Sequence, residues 1–336
     1  MPENFDEGCT LRSFRINHNQ VEGPLPQSLG NCKDLKLLDV ENNYLNDTFP
    51  NWLQNLDRLQ VLDLRSNRFY GNVDSSDVTI SFTSLHVIDL SGNNFGGFLP
   101  TQLFENLHAI REGNEKKDKP EYMTDTLAGE EWNYAFDSYF TTKGLETKFE
   151  KLLTIWTAID FSDNQFRGEI PKALGELHSL VVLNLSHNCL SGPIPSSFGD
   201  LLELESLDLS SNKLQGRIPT ELKNLGFLEV LNLSHNNLEG PIPQGKQFDT
   251  FTNDSYIGNL GLCGLPLSKT CDTEKETADK LDKDDDGGLD WKFSILMGYG
   301  CGLVLGLSMG YIVFATGKPW WFIKIFERVR QKIAER

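Results

Sequence analysis

An asparagine returns along this chain at a nearly fixed interval, and apolar residues keep fixed offsets from it. The positions are Asn19, Asn43, Asn67, Asn93, Asn164, Asn188, Asn212 and Asn236. Most steps are 24 residues; Asn67 to Asn93 is 26 and Asn93 to Asn164 is 71. Aliphatic or aromatic residues sit three, five and eight positions earlier, as Leu209, Leu207 and Leu204 before Asn212 or Phe161, Ile159 and Trp156 before Asn164. A chain that restates one short unit folds one coil per unit, and no coil buries its own apolar edge without neighbours. The alternation in each unit predicts a short strand with apolar side chains inward and the intervening residues outward. Stacked coils then align these strands in one parallel sheet, advancing roughly 4.8 Å per coil. Where the chain turns inward after the strand, buried backbone groups lack a ladder partner. An asparagine side chain, carrying donor and acceptor together, satisfies them coil after coil.

The core L-x-x-L-x-L-x-x-N with a period in the twenties is the signature of leucine-rich repeats. The expected fold is a solenoid with a parallel sheet on its concave face and an irregular or 3-10 convex side, interrupted once by a long loop and followed by one transmembrane α-helix. A following G-x-I-P, as in Gly216-Arg217-Ile218-Pro219, supplies a permissive glycine and a proline that redirects the chain. Asp47 replaces that glycine and Asp74 that proline in two coils, so irregular turns are expected there. The boundaries read as four repeats over 1–110, an insertion over 111–153, four repeats over 154–250 and a carboxyl-terminal cap over 251–271.

Beyond the cap the composition changes. Residues 272–290 hold nine acidic side chains against three lysines, which reads as a solvated linker within 272–292. Residues 293–316 then run for 24 residues without a charge, long enough to cross a bilayer as a helix. Trp320 and Trp321 follow, with Lys318, Lys324, Arg328, Arg330, Lys332 and Arg336 in the tail over 317–336, so this end is expected in the cytosol and the repeats outside. Phe322, Ile325, Phe326, Val329 and Ile333 recur at helical spacing, as in a short amphipathic helix on anionic lipid. That tail is too short for a kinase or another folded signalling domain. The net charge of −17 argues against nucleic acid as a partner.

Other residues fit an exported chain. Sequons occur at Asn46, Asn184, Asn232 and Asn253. Asn46 and Asn253 are expected to carry glycans more readily than Asn184 and Asn232, which fall within the strand face. Cys263 and Cys271 bracket the cap, where a disulfide would close the open end of the solenoid; a metal site is the rival reading and lacks a second Cys or His pair nearby. Cys9 and Cys32 fall at nearly equivalent places in adjacent coils, as a bridge or as two buried thiols. The amino terminus, MPENFDEGC, has neither a basic n-region nor an apolar h-region, and no polar cap precedes the first repeat. The chain is therefore expected to be the carboxyl-terminal part of something longer, or a truncated gene copy.

No catalytic or cofactor chemistry is legible. His187 and His235 share a slot two coils apart, but S-H-N is an ordinary repeat variant and no metal is expected there. The column Asp63, Asp89, Asp160, Asn184, Asp208, Asn232 resembles a carboxylate array; it is expected to be a solvated strand face, with serine neighbours such as Ser162 and Ser210. No nucleophile–base pair or phosphate loop appears, so the chain is read as no enzyme and as needing no cofactor.

The 24-residue repeat with LxGxIP, the segment YFTTKGLETKFEKLLTIWTAIDFSDNQFRGEIP (139–171), the cap NDSYIGNLGLCGLPLSKTC (253–271), the acidic stretch, the glycine-rich apolar span and the short tail together resemble plant leucine-rich-repeat receptor-like proteins. These are kinase-less cell-surface receptors with defence and developmental members. The resemblance covers essentially the whole chain and implies recognition of an extracellular ligand, with signalling through an associated receptor kinase at the plasma membrane. It makes the insertion an island concerned with ligand recognition, in which Tyr122, Trp132, Tyr134, Phe136 and Tyr139 are candidate contacts; anchoring of the loop on the solenoid is the other reading of these aromatics. It implies a membrane-spanning adaptor kinase as partner, docking on the stripe Gly298, Gly302, Gly306 and Gly310, since a glycine groove lets a second helix approach closely. It also implies a ligand-recruited leucine-rich-repeat co-receptor kinase on the four repeats after the island. A truncated or decoy copy and an inhibitor of foreign cell-wall-degrading enzymes are the alternative readings; island and membrane helix count against the inhibitor.

Overall fold

The structure is a computed structural model of the chain. It describes residues 1, 4–73, 82–112, 123–126, 133–135, 138–142, 145–149, 153 and 155–271. These fall in the unit Met1–Asp272; the second unit, Thr273–Arg336, with the expected membrane span and its glycines, lies outside the described residues. Among the described residues no helix is long and apolar enough to cross a membrane.

Eight inner strands of three residues build the concave sheet: Ser13–Arg15, Leu37–Asp39, Val61–Asp63, Val87–Asp89, Ala158–Asp160, Val182–Asn184, Ser206–Asp208 and Val230–Asn232. They pair in parallel, in chain order. Leu38, Leu62, Ile88, Ile159, Leu183, Leu207 and Leu231 stand in one register, all at 3% exposure or less. Burying such a row stabilises each coil by about 1.5–3 kcal/mol per side chain, but only where a neighbouring coil is present. The stack continues across the interruption without a slip. Val87–Asp89 pairs directly with Ala158–Asp160, so the island leaves the solenoid between two coils that remain in contact.

A second parallel sheet of seven short strands runs along one flank, from Tyr70–Gly71 to Gly261–Cys263. The convex side is made of 3-10 turns such as Lys172–Glu176, Ser196–Asp200 and Thr220–Asn224, each entered from a proline held near φ −60°. Gly168, Gly192 and Gly216 take positive φ three residues before those prolines, and Gly240 does so before Pro243, as the G-x-I-P motif requires. Asp47 occupies the same slot without a positive φ. Its carboxylate instead accepts from the Thr48 backbone N–H at 2.7 Å, a local solution to the missing glycine. Inside, Phe69, Phe95, Phe166, Phe161 and Phe104 follow one another with ring centroids 5.6–6.5 Å apart.

The asparagines hold the inward turn together. Asn188 donates to the carbonyls of Phe161, Leu185 and Ser186 and accepts from the Phe166 N–H at 2.9 Å. Asn43, Asn67, Asn93, Asn164, Asn212 and Asn236 repeat this pattern, and Asn164 does so across the island, donating to Leu90 and accepting from Phe95. Asn19 stands exposed at the first coil and bonds carbonyls of its own coil. A further rung is absent from the sequence reading. Asn259 accepts from Leu238 and donates to Leu233 and Tyr256, with Tyr256 in the place usually held by leucine. The residue before most ladder asparagines is left-handed, including His187 and His235 at φ 54°, which explains that slot as a turn position. Cys9 is joined to Cys32 and Cys263 to Cys271.

Replacing Asn188 by alanine orphans a buried N–H and several carbonyls, so it should lower unfolding stability by about 2–4 kcal/mol, whereas Asn19→Ala should cost less than about 1 kcal/mol. Denaturant titration of the two variants checks this; equal losses would contradict the buried-ladder account.

Candidate functional site

Period-two alternation sends two residues of each inner strand to the concave side, so the sheet carries lanes of side chains running across the coils. One lane is apolar: Leu37, Val61, Val87, Ala158 and Val182. Met123 of the island is seated on it, 1% exposed, with Trp156 and Val181 packed at the margin. Two residues farther along each strand lies the lane Asp39, Asp63, Asp89, Asp160, Asn184, Asp208 and Asn232.

The sequence places that second lane in solvent, and the structure corrects this. Asp39, Asp63, Asp89 and Asp160 are 0–6% exposed. Alternation tells which face a side chain takes; it does not tell what covers the face. Each carboxylate or amide accepts from the backbone two residues on, as Asp89 does from Ser91 N at 2.8 Å and Ser91 Oγ at 2.6 Å. Asn184 and Asn232 use the same acceptor geometry toward Ser186 and Ser234, and each donates its Nδ2 to the aspartate of the preceding coil, Asp160 at 3.0 Å and Asp208 at 3.1 Å. Between Asp63 and Asp89 no such amide is available, and Asp63 Oδ2 is buried without a hydrogen-bond partner among the described residues.

Burial followed by the charges of neighbouring carboxylates raises these acids. Asp63 is pushed well above the usual range, first by desolvation and then by Asp89, Asp39 and Glu41. Asp89 is raised to about 8, by desolvation first and by Asp160 second. Asp160 is raised by desolvation and held back by Ser162, Asn184 and Arg65. His86, immediately before the strand Val87–Asp89, is lowered by burial, with Nδ1 against the Ser84 carbonyl. Asp39, Glu41 and Asp63 bring carboxylate oxygens within 4.8 Å of one another. Arg65 Nη1 stands 3.7 Å from Glu41, so a guanidinium already supplies positive charge beside that cluster.

The island residues singled out from sequence are placed in part. Tyr134 lies on Asn133–Ala135, antiparallel to Thr124–Thr126 and opposite Asp125; Tyr139 lies on Ser138–Thr142, antiparallel to Leu145–Phe149 and opposite Lys148. Tyr122, Trp132 and Phe136 lie outside the described residues, as do Gly298, Gly302, Gly306 and Gly310. Among the described island residues Met123 meets the sheet, and sequence reasoning misses it because one methionine among charged residues carries no periodic signal. Asn46 and Asn253 are exposed, whereas Asn184 and Asn232 are engaged in the lane just described.

Leucine-rich-repeat family models match residues 9–69 and 156–214, and again 84–106 and 227–245. The chain is 50% identical over 338 residues to Receptor-like protein 9DC3 of Solanum pimpinellifolium, covering 99% of this chain and 39% of that one. It is 45% identical over 340 residues to Receptor-like protein 34 of Arabidopsis thaliana, covering 97% of this chain and 34% of that one. The chain belongs to the leucine-rich-repeat receptor-like proteins of plants. It spans between 34 and 44% of the length of the curated receptor-like proteins it matches. Among solved structures it is similar to a plant ice-binding protein, with TM-score 0.56 and 25% identity over 79% of this chain and 69% of that one. It is also similar to the PEPR1–AtPEP1 structure, with TM-score 0.52 and 27% identity over 78% of this chain and 34% of that one.

In this receptor-like protein the raised acids make a signed prediction. A carboxyl protonated in the native state up to about pH 8 and ionised above about pH 4 when unfolded favours the fold at low pH. That contribution is lost as pH rises between those values. Asp89→Asn keeps the acceptor for Ser91 and can donate to Asp63 as Asn184 does to Asp160. It should raise the unfolding midpoint at pH 7.5 while leaving the midpoint at pH 4.5 nearly unchanged, as thermal scans at the two pH values would show.

Proposed function

We propose that this chain is the ligand-recognition part of a cell-surface receptor without a kinase of its own, and that its concave face and island together form the binding surface. One observation carries the reading: Met123 of the island seats on an apolar lane that crosses five coils, beside a lane of buried carboxylates. Where those lanes are removed from water the sheet is the seat of the inserted segment, and the contact area for a ligand comes from that segment and from the concave side chains that stay open, held at low ordering cost. Similarity to receptor-like proteins supports this reading, as does similarity to the PEPR1–AtPEP1 structure. In this account the repeats lie outside the cell, anchored by the apolar span 293–316, with the basic tail in the cytosol.

Signalling then requires a partner that brings the enzyme. The spacing of Gly298, Gly302, Gly306 and Gly310 places four small residues on one stripe of a helix, a surface suited to a second membrane helix, here that of an adaptor receptor kinase. A co-receptor kinase recruited by the ligand is assigned to the four repeats after the island. Defence and development are both compatible with this arrangement.

Two experiments test it. Alanine at Trp132 or Tyr134 in the full receptor should weaken ligand binding at least about tenfold at unchanged surface expression, a hot-spot loss of about 1.4 kcal/mol or more. Unchanged affinity would remove the island from the site. Isoleucine at Gly302 and Gly306 should abolish co-precipitation with the adaptor kinase while the receptor stays at the plasma membrane; retained association would eliminate the stripe as the docking surface.

A further inference from the structure

One sequon sits in surroundings unlike the other three. Asn46 follows the flank strand Tyr44–Leu45, and the adjacent coil runs beside it: Arg68 N donates to the Leu45 carbonyl at 2.8 Å and Tyr70 N to the Asp47 carbonyl at 2.9 Å. Alternation along the two segments puts Tyr44, Asn46 and Thr48 on the same outward face as Arg68 and Tyr70. All five are exposed; Tyr44 stands at 42% and Tyr70 at 46%. The Arg68 guanidinium lies over the Tyr44 ring, 4.6 Å from its centre. Arg68 packs on one face of Tyr44, and Tyr70, whose N–H bonds the Asp47 carbonyl, presents its open ring beside Thr48 on the same flank. The Asn46 amide between them makes no hydrogen bond among the described residues, unlike the amides of Asn184 and Asn232.

We propose that Asn46 carries an N-linked glycan whose first N-acetylglucosamine is seated on Tyr44 and Tyr70, with Arg68 donating to its hydroxyl or acetamido oxygens. The modification transfers an oligosaccharide from a lipid-diphosphate donor. The anomeric carbon bonds to the Asn46 amide nitrogen, its bond to the lipid diphosphate breaks, and the amide gives up one proton. A pyranose ring with equatorial substituents has a flat C–H face that matches an aromatic ring, and its edge oxygens accept from a guanidinium. The sequon Asn46-Asp47-Thr48 tethers that sugar two positions along the chain from Tyr44 and next to the coil that carries Arg68 and Tyr70, so the seat is filled at high effective concentration. The glycan becomes a structural part of the second and third coils and covers their flank, leaving Phe98 with Arg167 over its ring as the next open aromatic site along the same side. The aromatics flanking Asn253, Phe251 and Tyr256, are buried, so its glycan is expected to stay free in solvent.

This inference rests on the extracellular reading above, and the test separates the two. The full chain, routed through the secretory pathway of plant cells by an added leader and purified in detergent, is mapped by intact glycopeptide mass spectrometry at its four sequons. Unfolding midpoints are then compared for the unaltered chain, the Tyr44→Ser/Tyr70→Ser variant, and the same tyrosine changes combined with Asn46→Gln or with Thr48→Ala. Asn46 should be occupied. The tyrosine changes should lower the midpoint by about 2 °C when the glycan is present and leave it unchanged when either sequon variant has removed it. Occupancy at Asn253 with Asn46 empty, or an equal drop with and without the glycan, overturns the seat while leaving the extracellular reading intact. Four empty sequons in exported material overturn the seat and withdraw a support of that reading as well.

Discussion

Every coil of this solenoid exposes backbone groups where it turns inward between the inner strand and the flank, and one residue type satisfies them throughout. The asparagine amide reaches two coils at once: Asn188 holds carbonyls of its own coil and the preceding one, and its oxygen receives the N–H of Phe166. The ladder is therefore a link between coils as well as a plug within them. Leucines alone could bury the same area, but they would leave those groups unpaired at about 1–3 kcal/mol each. The register of the sheet, the direction of each turn and the seating of the phenylalanine row all depend on this polar spine, because it forbids any coil from slipping against the next.

The same logic run on the concave face has a different outcome. Where asparagine alternates with aspartate, as in Asp160–Asn184 and Asp208–Asn232, an amide donates to the preceding carboxylate and the lane is satisfied. In the coils before the island, aspartates follow one another without an intervening amide, and burial drives protons onto them. After the island, amides of Asn184 and Asn232 satisfy the lane, whereas before it burial and neighbouring carboxylates disfavour ionisation of Asp63 and Asp89. That division is in the sequence, but its energetic meaning appears only once burial is known.

What could be read from residues alone followed from repetition. Eight agreeing registers make the coil, the sheet and the ladder legible, and place Asn164 against Asn93 across a step of 71 residues. Positions lacking a repeat context were harder. Asn259 escaped because tyrosine and a 3-10 turn replace the leucine strand above it. Met123 escaped because contact across a sheet leaves no local pattern. The letters of Asp63 and Asp89 suit a solvated strand face, and their removal from water is legible only in the structure.

The unbroken pairing of Val87–Asp89 with Ala158–Asp160 has a consequence for how such proteins diversify. Lengthening the connection between two stacked coils from 24 to 71 residues adds only about 1 kcal/mol of loop-closure entropy, because that term grows with the logarithm of length. The joint behaves as a length-tolerant port: whole cassettes can be exchanged there while rise, curvature and hydrogen bonding on either side stay as they are. Recognition could then change in one step, without renegotiating any of the contacts that keep the coils in line.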